Sequence, residues 1–183
     1  MPNWCDNTLR VTGDAEALKR FIVDITNEDE SISIMGNLLP FPAELEGKDI
    51  LDKDGNAVGR AFTDDGYQWC LRNWGTKWGD CETEITVNDP DHLVIRFQSA
   101  WSPALEGLGR ISTMFPTLTF QTDWVEEGMQ SIGAASFQNG NESTYEVPEA
   151  DFPSWEEGED GETDWQAMAD AVDQLRDIAI ASV

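Results

Sequence analysis

Basic residues are scarce in this chain. Lys and Arg together number 11 in 183 residues against 36 Asp and Glu, a formal net charge of -25. A domain of ordinary solubility carries a net charge of magnitude about 2 to 8, so the imbalance needs another cause. Affinity for phosphates comes mainly from Lys and Arg, and a single-sign negative field repels anionic partners. Direct binding of nucleic acid or of an anionic membrane is therefore not expected. Histidine is represented only by His92, with no Ser or Cys pattern around it, which gives no support to a nucleophilic triad or dyad. Cysteine is limited to Cys5, Cys70 and Cys81, an odd number with no CxxC or Cys/His grouping. A disulfide framework or zinc site is not expected, and a reduced cytoplasm fits these thiols as small buried apolar residues. No run approaches the roughly 20 apolar residues that span a bilayer. The opening Met1-Pro2-Asn3-Trp4-Cys5-Asp6 lacks the basic and then apolar segments of a classical export signal.

What is present is enough apolar material for one core: 40% hydrophobic and 10% aromatic residues, including eight Trp. Asn3 to Gly13 reads as a strand; Asp14 caps a helix carrying Ala17, Leu18, Phe21, Ile22 and Ile25 at helical spacing and ending near Asn27 to Glu30. Residues 31 to 62 read as irregular, interrupted by Pro40 and Pro42 and by an Asp54-Gly55 turn. Thr63 introduces a short helix over 64 to 74. The alternating runs Cys81 to Val87 and Leu93 to Ser99 flank Asn88-Asp89-Pro90-Asp91 and predict a hairpin. Ser102-Pro103 reads as the cap and first residue of a helix through Leu105, Leu108, Ile111 and Met114. Strands are expected over Thr117 to Val125 and Met129 to Gln138, with a short edge at Tyr145 to Val147. This order contains a split βαβ, which predicts a ferredoxin-like α+β fold: an antiparallel sheet with two helices on one face. Residues 1–147 form that domain, with an insertion at 31–80, and residues 148–183 form an acidic extension.

The extension holds nearly half of the net charge in under a quarter of the chain: from Glu142 onward there are 13 Asp or Glu and one basic residue, Arg176. Pro148 to Gly161 reads as a flexible acidic linker. Thr163 or Asp164 caps a last helix whose Trp165, Met168, Val172, Leu175 and Ala179 make an apolar stripe. The stripe requires a surface, the domain's own or a partner's. The residues expected to meet a partner are Glu156, Glu157, Glu159, Asp160, Glu162, Asp164, Trp165, Asp170, Asp173 and Asp177.

Several motifs carry local chemistry. Asn73-Trp74-Gly75-Thr76-Lys77-Trp78-Gly79-Asp80 sets two Trp four apart around two Gly, which reads either as a structural cluster or as an aromatic pocket. The pocket reading would use Trp74, Lys77, Trp78, Asp80 and Trp101, with Lys77 and Asp80 orienting a ligand. Asp52-Lys53-Asp54-Gly55-Asn56 begins like a calcium loop, but Ala57 stands where the loop needs Gly and Thr63 where it needs Glu. An Asp-Gly turn is expected there, with no metal. Glu126-Glu127 and Glu156-Glu157 are neighbours in sequence only, which does not place two carboxylates across one substrate.

The NWGTKWGD and SAWSP segments, with Phe115-Pro116, Trp124-Val125-Glu126-Glu127-Gly128 and the opening Pro2 to Asn7, resemble the YubB-like family of plasmid and phage proteins. The resemblance covers most of residues 1 to 138. It implies a ferredoxin-like domain and an origin on a mobile element, and it implies no reaction. The acidic helical tail departs from the shared pattern. Together these readings lead to a non-enzymatic, cytoplasmic binding protein without cofactor. Its acidic surface docks on a basic host protein, in the sharpest form a nucleic-acid-binding defence enzyme blocked by DNA mimicry. The alternative is adaptation to high salt, or a ligand-binding domain, in which the charge reflects solvent and not a partner.

Overall fold

The structure, a computed structural model, describes residues 3–126, 128, 131–152 and 165–183. Strand β1 (Trp4–Gly13) is followed by helix α1 (Ala15–Ile25), and Asp14 caps the helix by accepting a 2.9 Å hydrogen bond from the Ala17 N–H. Helix α4 (Leu105–Met114) connects the hairpin β4 (Cys81–Asn88) and β5 (His92–Ala100) to β6 (Leu118–Glu126), with β7 (Ser131–Gln138) and β8 (Asn141–Glu146) beyond. The six strands form one sheet in the order β4-β5-β1-β6-β7-β8, with every neighbouring pair antiparallel. Its first four strands have the interleaved order of two split βαβ units, so the expected ferredoxin-like α+β fold is present, widened by two strands.

Alternation along β1 sends Cys5, Leu9 and Val11 to one face, where α1 and α4 bury them. Phe21 of α1 meets Phe115 and Phe120 edge-to-face at 5.2 and 5.4 Å, and these rings form the middle of the main core.

The segment expected to be irregular is ordered. It contains a short helix α2 (Ile34–Leu38), a 3-10 turn at Ala43–Leu45, and a two-stranded hairpin of β2 (Glu46–Leu51) and β3 (Ala57–Phe62). Asp52 organises the tip of that hairpin: one carboxylate oxygen accepts from the N–H groups of Asp54 and Asn56. These bonds hold the Asp52 carboxyl below the usual range, chiefly through Asn56, and an Asx-type turn accounts for the calcium-like spacing. Helix α3 (Asp64–Asn73) starts as expected, with the Thr63 hydroxyl accepting from the Gly66 N–H at 3.0 Å.

The last helix, α5 (Trp165–Ala181), lies on the opposite face of the sheet from α1 and α4, over β6 and β7. Val172, Leu175 and Ala179 pack with Ile132, Ala134 and Val147, a second, smaller core. The Val172, Leu175 and Ala179 part of the tail stripe therefore finds its surface within the same chain, and the side chains of Trp165 and Met168 lie outside the described residues. Of the linker, residues 148–152 include a 3-10 turn at Glu149–Asp151, and the remainder lies outside the described residues.

Candidate functional site

Antiparallel pairing brings the start of β1, the ends of β5 and β6, the start of β7 and the end of β8 to one end of the sheet. Trp4 lies opposite Ala100, Val125 opposite Ile132, and Gly133 opposite Glu146. Distant segments thereby converge on a groove of about 630 Å³ lined by Trp101, Pro103, Trp124, Ser131, Glu146 and Glu149 among others. Trp101 follows the last residue of β5 at φ 73°, a region that bulky side chains seldom occupy. Its N–H donates to the Asn3 carbonyl at 3.0 Å, and the residue remains 44% exposed.

Ser102 does not cap α4. Its hydroxyl donates to the Gly75 carbonyl at 2.7 Å, its own carbonyl accepts from Ser99, and the helix begins two residues past Pro103, with Ala104 at the cap position. The Ser-Pro pair thus ties the groove's rim to the NWGTKWGD segment. On the opposite wall the Trp124 indole N–H donates to Ser131 Oγ at 3.0 Å, and that hydroxyl donates to Glu146 Oε1 at 2.9 Å. Gly133 makes room for this indole, since a Cβ there would stand 2.2 Å from the Trp124 ring.

The five residues considered as a pocket are not assembled into one. Trp74 is buried beside Trp69, its ring edge-to-face at 5.2 Å and its indole N–H bonded to the Leu39 carbonyl. Asp80 accepts from the N–H groups of Ile34 and Met35 and from the Thr83 hydroxyl, so its carboxylate caps α2. Lys77 Nζ sits 4.9 Å from the Trp78 ring centroid, and Trp78 leans on Trp4 with centroids 5.9 Å apart. Only Trp101 of the five lines the groove. Trp4 and Trp78 remain part-exposed beside each other at the start of β1.

In the tail, Asp170, Asp173 and Asp177 are exposed on α5, while the helix's apolar side faces β7. Glu156, Glu157, Glu159, Asp160, Glu162 and Asp164 lie outside the described residues, as does the side chain of Trp165. Arg176 turns inward: its Nε donates to Asp123 Oδ2 at 2.5 Å and its Nη2 to the Thr8 hydroxyl at 2.9 Å. Arg10 donates to the other oxygen of Asp123, which has no exposed side-chain surface. Two guanidinium groups thus share one buried carboxylate under the helix.

None of the cysteines is prepared for attack. Burial pushes the Cys5 thiol up to about 12 and Cys70 to about 11, and burial also raises Cys81. Sequence reading missed Trp124, Ser131, Glu146 and Glu149 as a group because they come from three strands and the turn after β8, and strand register decides that they share one end and one side of the sheet. For the Arg10-Asp123-Arg176 cluster the one legible signal was Arg176, the single basic residue of an acidic tail.

Residues 73–169 match the family described as the ferredoxin-like domain in Api92-like protein. Among solved structures, the crystal structure of a protein api92 from Yersinia pseudotuberculosis is similar at 11% identity and a TM-score of 0.46, covering 81% of this chain and 99% of that one. No curated protein matches.

Proposed function

This chain belongs to the Api92-like family of ferredoxin-like domains, and on that scaffold we propose a non-enzymatic acidic binding protein that docks on a basic protein of the host cytoplasm. The observation that carries the reading is the net charge of -25. That value already counts all 11 basic residues. Arg10 and Arg176 are turned onto the buried Asp123, and Lys19 and Arg20 pair along α1 with Glu16 and Asp24. Carboxylates therefore dominate the surface that a partner meets, and such a field accelerates encounter with a basic surface.

The finer form of the proposal is imitation of nucleic acid by a plasmid- or phage-borne protein, so that a nucleic-acid-binding defence enzyme is occupied. Two things support it. The motif resemblance to YubB-like proteins of mobile elements favours such an origin. On α5, Asp170, Asp173 and Asp177 form an exposed acidic row, about 4.5 and 6 Å apart along the axis, in which Asp173 also lies 3.8 Å from Arg176.

The test is capture by the immobilised full chain at about 0.15 M and about 1 M salt, across which the Debye length falls from about 8 to 3 Å. The captured protein is then challenged with duplex DNA. One basic nucleic-acid-binding protein, held at low salt, shed at high salt and displaced by DNA, is the expected result. Capture of no protein at low salt, or of one indifferent to DNA, overturns mimicry. The second reading, adaptation to high salt, is favoured by the presence of only four Lys. It requires that the protein melt at low salt and recover in molar salt.

A further inference from the structure

We infer that the groove at the aromatic end of the sheet is a binding site for an arginine side chain presented by a basic segment of the partner. The inference rests on the acidic docking reading and names how that partner is recognised.

The chemistry of the walls selects the ligand class. Trp101 and Pro103 from the connection between β5 and α4 face the strand side, where Trp124 and Ser131 sit, and Glu146 and Glu149 close the third side. The groove's volume of about 630 Å³ lies within the range of small-ligand sites. Among the described residues none that line it is basic, so its two carboxylates meet no cation from those walls. An anionic ligand would be repelled, and a neutral apolar one would leave those carboxylates uncompensated.

The aromatic wall narrows the class further. Trp101 is both exposed and held at φ 73°, a costly conformation for a bulky residue that the fold retains through its backbone bond to Asn3. On the far side the indole of Trp124 is fixed by Ser131, and the same hydroxyl fixes one oxygen of Glu146. Trp124 itself is buried, so the indole open to a ligand is that of Trp101, and it lines the groove together with the carboxylate of Glu146 that Ser131 fixes. A guanidinium matches both, because it is planar, stacks on aromatic rings and bonds carboxylates in a bidentate fork. An ammonium offers a point charge and uses neither geometry.

Calorimetric titration of the full chain with a capped pentapeptide carrying two arginines among glycines tests this, with the lysine counterpart as comparison. The arginine peptide is expected to bind about tenfold more tightly than the lysine peptide. The double variant Glu146→Gln with Glu149→Gln should lose about tenfold in arginine-peptide affinity. The charge-matched variant Glu28→Gln with Glu44→Gln, on exposed positions of the insertion side, should stay within about twofold. Trp101→Ala should weaken binding as well, its folding checked by melting temperature. Equal affinity for the two peptides, or equal losses in the two double variants, overturns the arginine site and leaves acidic docking standing. Absence of peptide binding also overturns the site, while the capture experiment with DNA challenge judges the docking reading by itself.

Discussion

The two faces of the six-stranded sheet are covered by different means. On one face α1 and α4 bury Phe21, Phe115, Phe120, Leu108 and Ile111, with uncharged polar side chains such as Asn7, Ser99 and Thr122 buried beside them. On the other face α5 lies mainly over β6 and β7, with a smaller apolar patch around Ile132, Ala134 and Ala179. There Asp123 is wedged between Arg10 and Arg176. Apolar burial is nondirectional and scales with area, so the first face is held by the sum of many contacts and not by any one of them. A buried carboxylate shared by two guanidinium groups is directional and fixes one position of the helix. The difference teaches that a strongly acidic tail can be held on a strongly acidic body when its single cation is placed against a single buried anion.

The comparison breaks most severely on the apolar face. Phe120→Ala should cost about 3–5 kcal/mol, read as a lowered urea midpoint, because it empties the contact among three packed rings. A smaller loss is expected on the other face. Asp123→Asn leaves two arginines without their shared carboxylate, and their side chains are 36% and 30% exposed. Solvent relieves part of the penalty, so about 2 kcal/mol is expected. Hydrogen exchange should then accelerate in α5 before it does in α1. Unchanged exchange in α5 would show that the ion triad does not hold the helix.

A third test sharpens the contrast through pH. Cys5 points to the apolar face, and burial raises its thiol from 9.0 to about 12. Folding therefore favours the neutral thiol: this contribution is complete below the unfolded value near 9 and is lost as pH rises towards 12. Between pH 9 and pH 10 the loss amounts to about 1 kcal/mol. Cys5→Ala should flatten the alkaline decline in melting temperature, and an identical decline in that variant would remove Cys5 as its cause.

Much of the fold was legible because its signals are local. Asp14 and Thr63 stand where their caps form, and the polar turn at Asn88–Asp91 separates β4 from β5. Legibility failed where local and tertiary demands differ. Strands β2 and β3, Glu-Gly-Lys-Asp-Ile-Leu and Ala-Val-Gly-Arg-Ala-Phe, lack clean alternation, so their hairpin was read as irregular. Ser102 looked like a cap, but its hydroxyl is taken by Gly75, 27 residues away in sequence. Asp80 and Trp74 looked like pocket residues because their motif is rich in aromatics and charge. Their hydrogen bonds to the backbone of α2 and Leu39 show instead what holds the insertion to the sheet.

By itself the sequence determined the order of the main elements, the acidic field and the amphipathic tail, since spacing, capping residues and charge are properties of neighbours along the chain. The tertiary structure decided which surface the tail stripe covers, which anion Arg176 meets and which carboxylates line the groove. Those outcomes depend on strand register and on which face each residue takes, and a shift of one residue in pairing would turn Asp123, Trp124 and Glu146 to opposite sides of the sheet.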